Sequence, residues 1–177
     1  DVVDSPISLY AATKKSNELM AYVYSHLFGI KTIGLRFFTV YGPWGRPDMA
    51  PILFSDAITR NKKLKIFNHG DIYRDFTFVD DIIDGIIKVS NKDFKLNYQI
   101  FNIGNSKPVN VLYFVDLLEK ELNIKANKEL CDMQPGDVKK TWADIEKFSE
   151  LTGYKPKIKI EQGVKKFIDW YKFYYEV

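Results

Sequence analysis

The sequence predicts an α/β protein wound around a parallel sheet, and three observations carry that expectation. An amphipathic run over residues 7–27 is followed by Gly29 and then by the apolar stretch 30–38. Helix, short turn and buried strand in that order is how a parallel sheet is built. The stretch ends in Thr39-Val-Tyr-Gly-Pro-Trp-Gly-Arg-Pro-Asp48, where two Gly and two Pro shape a loop. That loop sits just past a strand's carboxyl end, the place where open α/β sheets bind ligands. Further helical and strand-like segments alternate to the end of the chain.

Each element has a local reason. Ser5-Pro6 reads as a helix start, with Pro at an early position. Leu19, Tyr22, Val23 and Leu27 then recur at helical spacing, and Gly29 is placed to cap the end. A helix over 51–61 and a short strand over 64–67 lead into the turn Asn68-His-Gly-Asp71. Residues 74–79 read as a strand. Asp80 and Asp81 open a helix to about residue 90, where carboxylates complement free N–H groups and the dipole. Tyr98-Gln-Ile-Phe-Asn-Ile-Gly104 is a strand entering a loop, and Asn110 caps a helix to about residue 122. A weak strand over 128–131 precedes the turn Met133-Gln-Pro-Gly-Asp137. Helices over 144–152 and 160–175 close the chain, with Lys165, Lys166 and Lys172 on a solvated face.

Composition narrows the function classes. Hydrophobic residues make up 46% and charged residues 28% of 177 residues, enough for a substantial core. The net charge of +3 is mild, and the lysines are scattered without a basic stripe, which argues against nucleic acid. Lys62, Lys63 and Lys65 read as a solvated helix end. Cys131 is the single cysteine, so no intrachain disulfide forms and a reducing cytoplasm is expected. His26 and His69 carry no ligand pattern, so no metal site is expected. No apolar run approaches the roughly 18 residues of a membrane span, nor does the start read as a signal peptide.

The chemistry-bearing feature is Tyr10-Ala-Ala-Thr-Lys14. Tyr-x-x-x-Lys stacks a phenol and an ammonium on one helix face. A tyrosine pKa of about 10 must fall by roughly 3 units, about 4 kcal/mol, to act as a base near neutrality. One exposed ammonium does not supply that, and an oxidised nicotinamide ring would add the second positive charge. So tuned, the phenol takes a proton from a sugar hydroxyl while hydride leaves the carbon beneath it. The same spacing also arises as a half-buried tyrosine beneath a solvated lysine.

Taken in order, Tyr10-x-x-x-Lys14, Leu35-Arg-Phe-Phe-Thr-Val-Tyr-Gly-Pro43, Arg74-Asp-Phe-x-x-Val-x-Asp81, Asn102-Ile-Gly104 and Pro135-Gly-Asp137 resemble the extended short-chain dehydrogenase/reductases that act on nucleotide sugars. The run 39–50, with Met133-Gln-Pro-Gly-Asp-Val138, is most similar to the UDP-glucuronate 4-epimerases. The likeness spans nearly the whole chain. It departs at one place: the family's glycine-rich dinucleotide loop and the catalytic Ser/Thr upstream of the tyrosine have no counterpart here. The chain thus resembles the C-terminal half of such an enzyme. Residues 1–47 would be a remnant of its NAD-binding Rossmann domain. Residues 48–177 would be mainly its nucleotide-sugar-binding domain, with sheet elements returning near 74–104.

The resemblance implies roles. Tyr10 would be the general base, and Lys14 would depress its pKa and hold the nicotinamide ribose of NAD. Phe38 and Val40 would border the nicotinamide. Thr39 and Arg46 would hold the sugar carboxylate, a task suited to a planar guanidinium, although Arg46 could instead pair with Asp48. Arg74 would contact the diphosphate, with pairing to Asp75 or Asp71 as its rival. Asp137 would take the ribose hydroxyls of uridine or else make a turn bond. Lys65, Ile66 and Phe67 would lie against the uracil. Gln134 stands where many sugar epimerases carry a phosphate-binding arginine. Trp44 shapes its loop, and Arg36 reads as a structural ion-pair partner.

The implied reaction is 4-epimerisation of UDP-glucuronate to UDP-galacturonate through a 4-keto sugar. Decarboxylation of the same keto acid and 4,6-dehydration are the near alternatives. A nucleotide-sugar-binding fragment without catalysis is the alternative of another class, and this chain alone is expected to be inactive. The first helix and strand are expected to expose apolar faces and an unpaired edge, giving a homodimer or other self-association.

Overall fold

The computed structural model describes residues 3–134 and 136–177. Pro135, of the expected Pro135-Gly-Asp137 turn, lies outside the described residues. The elements are α1 (Leu9–Phe28), β1 (Thr32–Phe37), β2 (Thr39–Tyr41), α2 (Ala50–Thr59), β3 (Lys63–Ile66), a 3-10 turn (Phe67–Gly70), β4 (Tyr73–Phe78), α3 (Val79–Ser90), β5 (Tyr98–Ile103), β6 (Pro108–Asn110), α4 (Val111–Leu122), β7 (Asn127–Leu130), α5 (Glu146–Thr152) and α6 (Ile160–Tyr175). The parallel pairings are β1 with β5, β2 with β4 and β3 with β7. Among the described residues only β4 with β6 runs antiparallel. Three parallel pairs joined through helices make this the expected α/β architecture.

Local chemistry explains most boundaries. Ser8, rather than Ser5-Pro6, caps α1: its hydroxyl accepts from the Ala11 N–H at 3.1 Å. Gly29 ends α1 in the left-handed conformation at φ 65. Asn110 caps α4, accepting from Leu112 and Tyr113. Asp80 and Asp81 do not cap α3, whose first position follows Phe78. The Asp81 carboxylate is turned toward the segment before α6, accepting from the N–H groups of Lys157 and Ile158 at 3.0 Å each. Tertiary donors outcompete the local ones because those two amides are otherwise unmet.

Two cores form. The larger one packs β2 and β4 against α2, α4 and α6. Phe76 and Phe114 stack at 4.2 Å, and Tyr41 meets both rings and Phe78 edge-on. The smaller core joins β5 to α3 and α5 through Ile82, Phe101, Ile103, Phe148 and Tyr154. The first helix and strand expose apolar side chains and an open edge, as expected. Leu19, Tyr22, Val23 and Leu27 are all exposed, and Ser25 is the single buried residue of α1. β1, expected to be buried, is half-buried and exposes Phe37. Among the described residues β1 pairs only with β5, leaving its other edge open.

The junction between the cores is Asp75 on β4. It is fully buried, and its carboxylate accepts from the N–H groups of Asn105 (2.9 Å), Ser106 (2.9 Å) and Ala143 (2.8 Å). Gly104 permits this approach, since an added Cβ would lie 2.7 Å from Ala143 Cβ and 2.9 Å from Asp75 Oδ2. A second buried carboxylate, Glu119 on α4, accepts from Lys125, the Ala126 N–H and Lys128, each at 2.9 Å. Burial pushes Glu119 upward, but these three donors outweigh it and hold its pKa at about 2.

Two outcomes follow from these carboxylates. Asp75→Asn replaces an acceptor oxygen with a donor facing amides and is expected to lower stability in urea unfolding by about 2–3 kcal/mol. Glu119 has a depressed folded pKa, so its contribution is complete above the ordinary carboxylate range and drains as pH falls through about 2. Glu119→Gln should therefore cost ~2 kcal/mol at pH 7, with the gap to the parent closing as the pH falls from about 4.5 to 2. A gap that does not vary with pH would contradict this.

Candidate functional site

The Ser8 cap starts α1 so that Tyr10 and Lys14 rise on one exposed face, one turn apart. The Lys14 ammonium lies 5.2 Å from the centroid of the Tyr10 ring. Tyr10 is 68% exposed, and among the described residues its hydroxyl has no hydrogen-bond partner. Both side chains line an open groove of about 530 Å³, together with Pro6, Ile7, Glu18 and Arg36. Arg36 grips Glu18 through Nε (2.6 Å) and Nη2 (2.9 Å). The Arg36 hydrogen bond holds the Glu18 carboxyl below its ordinary range, against burial and with help from Lys15. Arg36 is thus the structural partner that its place inside a strand predicts.

Beyond β1 the chain alternates faces. Val40 packs against the smaller core, whereas Thr39 opens on a second cavity and Tyr41 enters the larger core. Phe38 is half-buried between the strands. The following loop is pinned at Gly42, φ 145, where an added Cβ would stand 2.6 Å from Val79. At its far side Arg46 pairs with Asp48 through Nε (3.0 Å) and Nη2 (2.5 Å). The Asp48 hydrogen bond raises the Arg46 pKa, and the Tyr10 phenol adds a smaller push in the same direction.

The second cavity, about 330 Å³, is the size of a small ligand site. Its walls are apolar: Met49, Ala50 and Phe54 of α2, Phe67, Ile72 and Val111. Its polar groups are Thr39, Lys65, Arg74 and Asp137. Arg74 donates to Asp137 Oδ1 (2.5 Å), to the Val138 carbonyl (2.7 Å) and to its own neighbour's carbonyl at Tyr73 (2.9 Å). Neither Asp75 nor Asp71 is its partner: Asp75 faces the core amides, and Asp71 pairs with Lys139 at 2.5 Å.

The structure thus brings Thr39, Lys65, Ile66, Phe67, Arg74 and Asp137 around one cavity, and Tyr10 and Lys14 along a separate groove. Phe38, Val40, Arg46 and Gln134 line neither. The Ile66 side chain belongs to the larger core, because β3 alternates exposed Lys65 with buried Ile66. Gln134 has an exposed side chain and serves the turn through its carbonyl, which accepts from the Asp137 N–H at 3.2 Å. Sequence reasoning missed the α2 wall. Ala50 and Phe54, four apart on one helical face, were the available signal.

Parallel α/β winding thus presents a Tyr-x-x-x-Lys pair on an exposed helix face and a cavity beyond a strand's carboxyl end. Residues 1–104 match the model of the NAD dependent epimerase/dehydratase family, and the chain belongs to that family. It is 57% identical over 171 residues to an uncharacterized protein of Methanocaldococcus jannaschii, covering 97% of this chain and 52% of that one. It is 44% identical over 190 residues to UDP-glucuronate 4-epimerase 4 of Arabidopsis thaliana, covering 99% and 44%. Its structure superposes with a TM-score of 0.89 on the UDP-glucuronic acid 4-epimerase of Bacillus cereus, solved with UDP-glucuronic acid and NAD. The identity there is 37%, with 97% of this chain and 55% of that one covered. The chain spans about half the length of the relatives it matches.

Arg74 ties the segment 137–138 to β4, so Arg74→Ala should release it. Hydrogen exchange at the Val138 amide is expected to accelerate by about tenfold or more, with exchange in α4 unchanged.

Proposed function

We propose that these residues carry the acid/base pair and the sugar-nucleotide cavity of an NAD-dependent 4-epimerase acting on a UDP-uronic acid, interconverting UDP-glucuronate and UDP-galacturonate. The observation that carries this reading is the Lys14 ammonium 5.2 Å from the Tyr10 ring on one exposed helix face, above a groove that both side chains line. A planar guanidinium such as that of Arg46 suits a carboxylate-bearing sugar. Likeness to UDP-glucuronate 4-epimerases supports the substrate, and the neighbour solved with NAD supports the cofactor.

The residues present fit the nicotinamide end of the cofactor: an exposed phenol whose hydroxyl has no hydrogen-bond partner among the described residues, and an ammonium beside its ring, facing an open groove. When bound, NAD supplies the acceptor and donor of the C4 hydride. Tyr10 removes the C4 hydroxyl proton and returns it after the flat 4-keto sugar has turned over. Lys14 favours the phenolate and holds the adjacent ribose. Arg46 and Thr39 hold the carboxylate. That grip also keeps the β-keto acid from the geometry that sheds carbon dioxide. Arg74 meets the diphosphate, Asp137 the uridine ribose, and Lys65 with Phe67 the base. Holding the nucleotide firmly in an apolar-walled cavity while the sugar stays free to rotate is what epimerisation requires. In this reading residues 1–47 belong to the dinucleotide-binding layer and 48–177 mainly to the sugar-nucleotide layer. The exposed apolar side chains of α1 support its burial against a second copy or further sheet.

Incubation of an intact homologue, one that carries the glycine-rich dinucleotide loop, with UDP-glucuronate and NAD, followed by separation of UDP-sugars, tests the reading. UDP-galacturonate is the expected product, and the substitution matching Tyr10→Phe should slow its formation by roughly 10²–10⁴-fold; this chain alone is expected to give none. A dominant UDP-pentose would assign decarboxylation instead. Calorimetric binding of UDP-glucuronate without turnover would assign a nucleotide-sugar-binding role alone.

A further inference from the structure

Trp44, two residues before Arg46, is 76% exposed, yet its backbone is left-handed at φ 62. A bulky L residue adopts that conformation only where its surroundings hold it. What holds it is the carboxyl end of α6. The Trp44 ring lies 5.6 Å from Trp170 and 5.3 Å from Tyr174, which it meets edge-on. Trp170 and Tyr174 stack on one another at 5.3 Å, and Trp170 leans on buried Phe167 at 6.0 Å. A chain of rings thus runs from the larger core to the tip of the loop. The indole N–H of Trp170 is buried and, among the described residues, has no acceptor; this ring is placed for stacking and not for its donor. The hydrogen bonds of the loop among the described residues are local: the Arg46 carbonyl accepts from the Met49 N–H at 3.2 Å, and the Arg46 side chain pairs with Asp48. Gly42 seats the start of the loop against Val79, and the rings fasten its tip to α6.

We propose that Trp170 and Tyr174, acting through Trp44, are positioning residues that fix the loop bearing Arg46 and thereby set the preference of the site for a sugar bearing a carboxylate. The proposal rests on the reading of Arg46 as the carboxylate grip. α6 ends at Tyr175, far along the chain from Arg46, so this contribution to specificity comes from an element that carries none of the site residues. The rings do not touch the sugar: they act by restricting where the guanidinium fork can stand.

The test uses the full chain and two readouts: hydrogen exchange at Gly45 and Arg46, and calorimetric affinity for UDP-glucuronate against UDP-glucose. Trp44→Gly removes the ring while keeping the left-handed backbone accessible, and an exposed residue can be removed without opening the core. Tyr174→Ala removes a second ring, and Trp170→Phe keeps a ring at the centre. Trp44→Gly and Tyr174→Ala are expected to speed loop exchange by about tenfold or more. They should also weaken UDP-glucuronate about tenfold, with UDP-glucose held within about twofold. Trp170→Phe should stay close to the parent in both. Unchanged loop exchange in Trp44→Gly, or an equal loss for both nucleotides, would overturn the proposal. A parent that binds the two nucleotides alike, or neither, with exchange still accelerated in the variants, would overturn the carboxylate grip and uphold the ring chain as the anchor of Arg46.

Discussion

A single buried carboxylate organises this molecule. Asp75 on β4 collects the amides of Asn105 and Ser106 from the turn after β5, and of Ala143 from the segment leading to α5. Those three donors belong to pieces of chain that bear on both cores. With an apolar residue at position 75 they would be buried and unmet, and the segments could not close over β4. The neighbouring residue points the other way because strand side chains alternate. Arg74 therefore faces the cavity while Asp75 faces the core, and it ties Asp137 and Val138 to the same strand. One dipeptide fastens the fold with one side chain and shapes the ligand cavity with the next.

The same alternation divides the work along β2. Val40 packs on the smaller core, Tyr41 fills the larger one, and Thr39 opens on the cavity. The strand's register with β4, Thr39 opposite Phe76, is what carries this threonine to the cavity that Arg74 and Asp137 share. Tyr41 also settles how closely α6 approaches. Gly163 has no side chain where a Cβ would lie 2.0 Å from the Tyr41 hydroxyl, so the helix is drawn down onto β2 and β4. That close seat is what carries the aromatic end of α6 over the Gly42–Asp48 loop. Packing in the core and placement of a surface arginine are thus linked through one helix.

Much of this was legible in the residues themselves. The order of elements follows from local chemistry: Gly29 and Asn110 stop and start helices for reasons that need no tertiary partner. The Tyr10–Lys14 pair is likewise determined by helical spacing alone, and the family follows from motifs read in order. Short-range geometry of this kind is a property of a few neighbouring residues, and the sequence states it directly.

What only the tertiary structure decided are the pairings between charges and the environment of each side chain. Arg74 had Asp75 and Asp71 as the partners its sequence neighbourhood offers, and it took Asp137, 63 positions away. Asp81 could have capped its own helix and instead meets the amides of Lys157 and Ile158. Both choices have one physical reason. A hydrogen bond or an apolar contact is chosen by whichever partner the folded chain brings within a few ångströms. Chain closure over tens of residues is set by the packing of the whole and not by any local run of sequence.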